Sequence, residues 1–135
     1  MAATAISEHN YGDLIVRDLP NLARLAPGRK PACSHRGEDL SVNLISCMSR
    51  EGVGAHVNEE VEVLIVGVDG DGSVEIDGHW HTLGSGQLVV IPKGARRATR
   101  CDGDRFIYLT CHRSRSGLWP AVLGHGDNII EVGRS

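Results

Sequence analysis

Between residues 40 and 111 the chain is cut into short apolar runs, and most of them are closed by glycine turns. Residues 41–48 and 61–68 are the first two runs. Val74, Glu75 and Ile76 then alternate apolar and acidic, Asp77-Gly78 supplies a two-residue hairpin turn, and residues 79–83 return. Gly84-Ser85-Gly86 turns the chain again before the continuous apolar run 88–91. Residues 105–111 form a further run and 128–132 a last short one. Apolar runs of this length, punctuated by turn residues, predict β-strands, and many in succession predict a sandwich or barrel. Residues 29–39 are polar and read as a loop, as do the glycine- and proline-bearing residues 114–127. One segment reads as helical: Asp18 can cap it, Pro20 falls in its first turn, and Leu19, Leu22 and Leu25 recur on one side until Pro27-Gly28 stops it.

A chain of 135 residues without repeats or a linker is expected to be a single domain, 1–135, with its barrel core at about 40–112. Aromatic residues make up only 4%, so Val, Ile, Leu and Ala must fill that core. A formal net charge of −3 argues against a nucleic-acid partner, which favours a strongly basic face. The longest apolar run, 63–68, is too short to span a bilayer, and residues 1–10 lack the apolar stretch of a signal peptide. A cytoplasmic protein with no membrane partner is therefore expected. Cys33, Cys47, Cys101 and Cys111 contain no C-x-x-C pair and read as free thiols rather than structural zinc ligands.

The polar residues that stand out lie just ahead of the run 61–68. Residues two apart on a strand point the same way, so His56, Asn58, Glu60 and Glu62 share a parity opposite to Val61, Val63 and Ile65. Polar groups inside a small barrel are costly unless they meet partners or a ligand, which makes this set a candidate site. A solvent-facing polar edge is the other reading of the same pattern. His79-Trp80-His81 is a literal H-x-H, but it follows a hairpin turn without a carboxylate at a supporting spacing, and it reads as surface. The aspartates at 69, 71 and 77 lack the glutamate and flanking helices of a calcium loop.

Residues 52–112 resemble the cupin superfamily. The family's second motif, G-x5-P-x-G-x2-H-x3-N, is matched by Gly86, Pro92 and Gly94, and the segment 74–87 is similar to the family's central hairpin. The first motif, G-x5-H-x-H-x(3,4)-E-x6-G, is matched more loosely: His56 stands at its first histidine, and Glu62, followed by an apolar strand, at its glutamate. The spacing from Glu62 to Gly70 is one residue too long, which predicts a bulge. The resemblance implies an all-β fold, a cupin-type double-stranded β-helix or jelly-roll barrel, with a short N-terminal helical turn. It also implies a homodimer.

The departures from the motifs shape the functional expectation. Asn58 stands at the second histidine, Arg97 at the third and Cys101 at the asparagine. A full cupin site offers three imidazoles and a carboxylate to a transition metal. Here His56 and Glu62 are the remnant ligands, Asn58 offers a neutral oxygen, and Arg97 has no acceptor at all. Two unit charges 4 Å apart interact by roughly 4 kcal/mol at an effective dielectric near 20, and a divalent ion roughly doubles the repulsion. No tightly bound cofactor is therefore expected, a weakly bound divalent transition metal being the alternative. The reading that follows is a small cupin-domain protein whose barrel holds a small polar or anionic metabolite, carrying a carboxylate or phosphate, through His56, Asn58, Glu62 and Arg97. Two alternatives stand beside it. One is an enzyme, either isomerase-, epimerase- or cyclase-like or a residual metal-dependent dioxygenase. The other is a structural or interaction module with a closed barrel. Neither a reaction nor catalytic residues can be assigned from the sequence.

Overall fold

The computed structural model of the chain describes residues 9–11, 14–25 and 31–114. In chain order they form β1 (His9–Tyr11), β2 (Leu14–Val16), α1 (Leu19–Leu25), β3 (Pro31–Arg36), β4 (Leu40–Met48), β5 (Gly52–Val57), β6 (Val63–Ile76), β7 (His79–Leu83), β8 (Leu88–Ile91) and β9 (Arg96–Arg113). β1 and β2 pair with each other. The remaining strands make one antiparallel sheet in the order β3-β4-β9-β6-β7, with β5 added beside β9 and β8 beside β6.

Two long strands organise this sheet. The C-terminal half of β9 pairs with β4, from Met48↔Arg105 to Leu40↔Arg113, while its N-terminal half pairs with β5. β6 divides in the same way, pairing first with β8 at residues 63–66 and then with β7 at 72–76. Each long strand thus passes from one half of the jelly roll to the other. The bend falls where the β6–β9 register shifts, between Gly67 and Asp69 and again between Gly70 and Gly72. A bulge is thus present in the segment where one was expected, but not for the reason counted from Glu62: from Val63, the buried residue that takes the glutamate position, the spacing to Gly70 is the motif's own. Glycine is required there: Gly70 has φ +81, and a Cβ at Gly72 would lie 2.0 Å from the Phe106 ring.

Strand alternation divides the apolar residues between two cores. Ile45 and Cys47 of β4, Ile65 and Val74 of β6, and Phe106 and Tyr108 of β9 face the barrel interior. Their neighbours Leu44, Ile107 and Leu109 face outward and pack against Leu19, Leu22 and Ala23 of α1. The helix begins as its sequence predicts, with the Asn21 N–H donating to Asp18 Oδ1 at 3.3 Å. Arg105 holds its far end, donating to the Ala23 carbonyl at 3.0 Å and pairing with Asp69.

Several differences from the sequence reading concern strands, among them β1, β2 and β5, which no apolar run announced. The polar stretch 29–39 contains β3, an edge strand with Cys33 and His35 half-buried and Ser34 and Arg36 exposed. Residues 63–68 of the run 61–68 belong with 74–76 to one continuous strand, and the run 105–111 is the second half of a strand that begins at Arg96. The expected strand 128–132, the proline-glycine stop at 27–28 and most of the loop 114–127 lie outside the described residues. Cys101 and Cys111 lie on the same strand, Cys33 on β3 and Cys47 on β4, and none of the four forms a disulfide.

Candidate functional site

Because residues 96–100 lie on β9, alternation assigns their three arginines. Arg96 and Arg100 point outward: Arg96 pairs with Glu75 at 3.3 Å, and Arg100 lies 4.1 Å over the Trp80 ring and 2.7 Å from Asp102. Arg97 points inward and is 3% exposed. It stands directly opposite His56 of β5 on one side and Ile76 of β6 on the other. The next inward residue, Thr99, pairs with Val53 and Val74.

This inner face closes around a cavity of about 30 Å³. Its polar lining is His56, Arg97, Thr99, Tyr108 and Thr110, and the rest is apolar, with Ile65, Val74 and Ile91 among it. Thr99 Oγ1 shares a hydrogen bond with the Tyr108 hydroxyl at 3.1 Å and accepts one from the Val53 N–H at 3.3 Å. Burial pushes the Tyr108 phenol well above its ordinary range, and the neighbouring Cys47 adds to the rise. The Thr99 hydrogen bond and the positive charge of Arg97 oppose it. Thr110 Oγ1 is buried and has no hydrogen-bond partner among the described residues. Thr99, Tyr108 and Thr110 escaped the sequence reading. Tyr108 and Thr110 share one parity with Phe106 inside the predicted run 105–111, whereas the alternation that turns Thr99 inward is visible only once residues 96–113 are taken as one strand.

Of the four candidates named from sequence, the structure brings His56 and Arg97 together at the cavity and takes the other two elsewhere. Asn58 is buried, 5% exposed, but its Oδ1 accepts hydrogen bonds from the backbone N–H groups of Glu60 at 2.8 Å and Val61 at 3.2 Å. Its side chain builds the turn between β5 and β6. Its carbonyl accepts from the Gly94 N–H at 2.7 Å, which fixes the turn just ahead of Arg97. Glu62 is exposed, and its expected inward position is corrected here. The Asn58 turn interrupts the extended chain, so the parity counted from His56 does not carry across it. Val61, Val63 and Ile65 take the inward side instead. With four intervening residues after Asn58, as the motif permits, the glutamate position falls on Val63, which is fully buried.

The residues present do not fit a transition-metal site. Of the four motif positions, only His56 brings a good donor to the cavity; Asn58 is committed to backbone, Val63 is apolar and Arg97 is a cation. Among the described residues no three His, Cys, Asp or Glu side chains are grouped for a metal. His79 and His81 are exposed, as expected from their hairpin, but they pair with Ile76 and Val74. They therefore lie on the sheet face that continues the barrel interior outward.

The sequence matches the family described as Cupin domain over residues 45–111. No curated protein matches it significantly. Among solved structures it is similar to BH2720 from Bacillus halodurans, with a TM-score of 0.68 at 14% identity over 84% of this chain and 89% of that one. It is also similar to TT1209 from Thermus thermophilus, with a TM-score of 0.64 at 21% identity over 74% and 97% of the two chains. An RmlC-like cupin from Shewanella frigidimarina gives 0.54 at 16% identity, over 60% and 71%. At such identities these likenesses establish the fold alone.

Proposed function

Because this chain belongs to the cupin superfamily, we propose that its barrel binds the anionic group of a small metabolite at Arg97 and does so without a tightly bound metal. The observation that carries this reading is the composition of the cavity wall: one buried guanidinium, three hydroxyl groups and one imidazole, set among aliphatic side chains. Taking a guanidinium out of water costs several kcal/mol, and an anion entering beside it offsets part of that cost. Guanidinium suits carboxylate or phosphate because its parallel N–H groups match two oxygens at once. Thr110 Oγ1, buried on the same wall, offers a further hydrogen bond to the incoming group. His56, held by a 3.0 Å hydrogen bond between its Nδ1 and the Gly54 carbonyl, presents its ring beside the cation.

A thermal-shift screen of small carboxylates, phosphate and neutral alcohols against the wild type and Arg97→Lys tests the proposal. Anions are expected to raise the melting temperature of the wild type in a saturable way, and less so in Arg97→Lys, which keeps the charge but loses the paired donors. Equal stabilisation by neutral alcohols, or an anion response identical in the two proteins, would overturn it.

A further inference from the structure

A cavity of about 30 Å³ has room for a charged group and little more. The body of any metabolite held at Arg97 must therefore lie elsewhere. A second, open concavity of about 480 Å³ shares Val74 with the first. Its apolar wall includes Val74, Ile76, Leu83 and Val89, with His81 and Gln87 among its polar residues. The strand register places their residues on one face of the sheet. Arg97, Ile76 and His79 form one cross-strand row over β9, β6 and β7, and Thr99, Val74 and His81 form the next. At the usual interstrand distance, His79 stands about 10 Å from Arg97 along that row. The face thus runs from a buried cation, across branched aliphatic side chains, to exposed imidazoles.

We propose that this concavity holds the aliphatic body of a monocarboxylate whose carboxylate sits against Arg97, a refinement that rests on the anion reading above. One fixed cation matches one negative charge, and a planar carboxylate matches guanidinium in two parallel hydrogen bonds. The aliphatic wall stabilises methylene groups, and the polar rim leaves the far end of the ligand in water.

The test is calorimetric titration of the full chain with propanoate, hexanoate and octanoate, with octanol as the uncharged control. In the wild type, affinity is expected to rise about fourfold for each methylene that enters the concavity, and octanoate is expected to bind about tenfold or more tighter than octanol. In Ile76→Ser the gain with chain length shrinks. In Arg97→Gln the preference for octanoate over octanol is lost; if that variant fails to fold, the wild-type comparison of octanoate with octanol tests the same point. Carboxylates that bind with one affinity at every length would overturn this inference and leave anion binding at Arg97 intact. A chain-length gain unchanged in Ile76→Ser, or octanol binding as tightly as octanoate, would also overturn it. Failure of every carboxylate to bind would overturn both readings.

Discussion

His56 on β5 and Arg97 on β9 are direct cross-strand partners, so an imidazole and a guanidinium face the same interior cavity side by side. The cation occupies one of the motif positions, and among the described residues the imidazole is the one His, Cys, Asp or Glu side chain lining the cavity. Adding nickel or zinc is therefore expected to leave the melting temperature of the wild type unchanged. A site binding at a hundredfold excess over its Kd would stabilise the fold by about 2.7 kcal/mol. The double variant Asn58→His, Arg97→His is expected to remain metal-insensitive as well, because position 58 turns its side chain onto the backbone of residues 60 and 61 rather than into the cavity and Glu62 faces solvent, which leaves two imidazoles there.

Asn58 is expected to matter for stability more than for binding. Its Oδ1 satisfies two backbone donors, one of them fully buried. Asn58→Ala leaves both without that acceptor and should destabilise the fold by roughly 1–3 kcal/mol in denaturant unfolding. Asn58→Asp keeps an acceptor oxygen in place and should cost less.

Asp102 links stability to acid pH. Burial works against its charge, but hydrogen bonds from Ser73 and Arg100, together with the Arg100 charge, outweigh it and hold the carboxyl below its ordinary value. A carboxyl whose folded pKa is depressed contributes stability above its unfolded pKa and loses it as pH falls through the folded one. Asp102→Asn should therefore cost up to about 1 kcal/mol at neutral pH. The gap between wild type and variant should close as the pH drops below about 4.

Tyr108 gives the opposite sign at alkaline pH. Burial raises its folded pKa, so its contribution to stability is complete below about pH 10 and declines as the pH rises beyond that value. In a spectrophotometric titration, the Tyr108 phenolate should appear only above the ordinary tyrosine range, together with unfolding. Tyr108→Phe should remove that late component.

The barrel was legible in the sequence because its turns are local. Asp77 and Gly78, with φ of 48 and 89, make the hairpin that their identities predict, and β7 and β8 follow within a few residues of their expected places. Asp18 and the leucine spacing likewise disclosed α1. Strands that carry charge on one face were harder to see. Residues 96–104 carry no apolar run that marks a strand, because Arg96, Arg100, Asp102 and Asp104 are exposed, while the inward residues between them include Arg97 and Thr99, which are polar themselves. The site was half legible for a similar reason. His56 and Arg97 were placed by the likeness of their segments to the cupin motifs, and the alternation of β5 and β9 turns both inward, but Glu62 was also placed by parity counted across a turn. That turn is created by a side-chain to backbone hydrogen bond of Asn58, which parity does not register.

Anion binding inside the barrel is most directly observed at the guanidinium itself. In ¹⁵N-labelled protein, the Arg97 side-chain Nε–Hε signal is identified by its loss in Arg97→Lys and followed while acetate is added. The Arg97 signal should move saturably, while those of the outward-facing Arg96 and Arg100 stay nearly still. Saturable movement of Arg96 or Arg100 with Arg97 unmoved would contradict an interior anion site and place the binding on the outer face of the sheet.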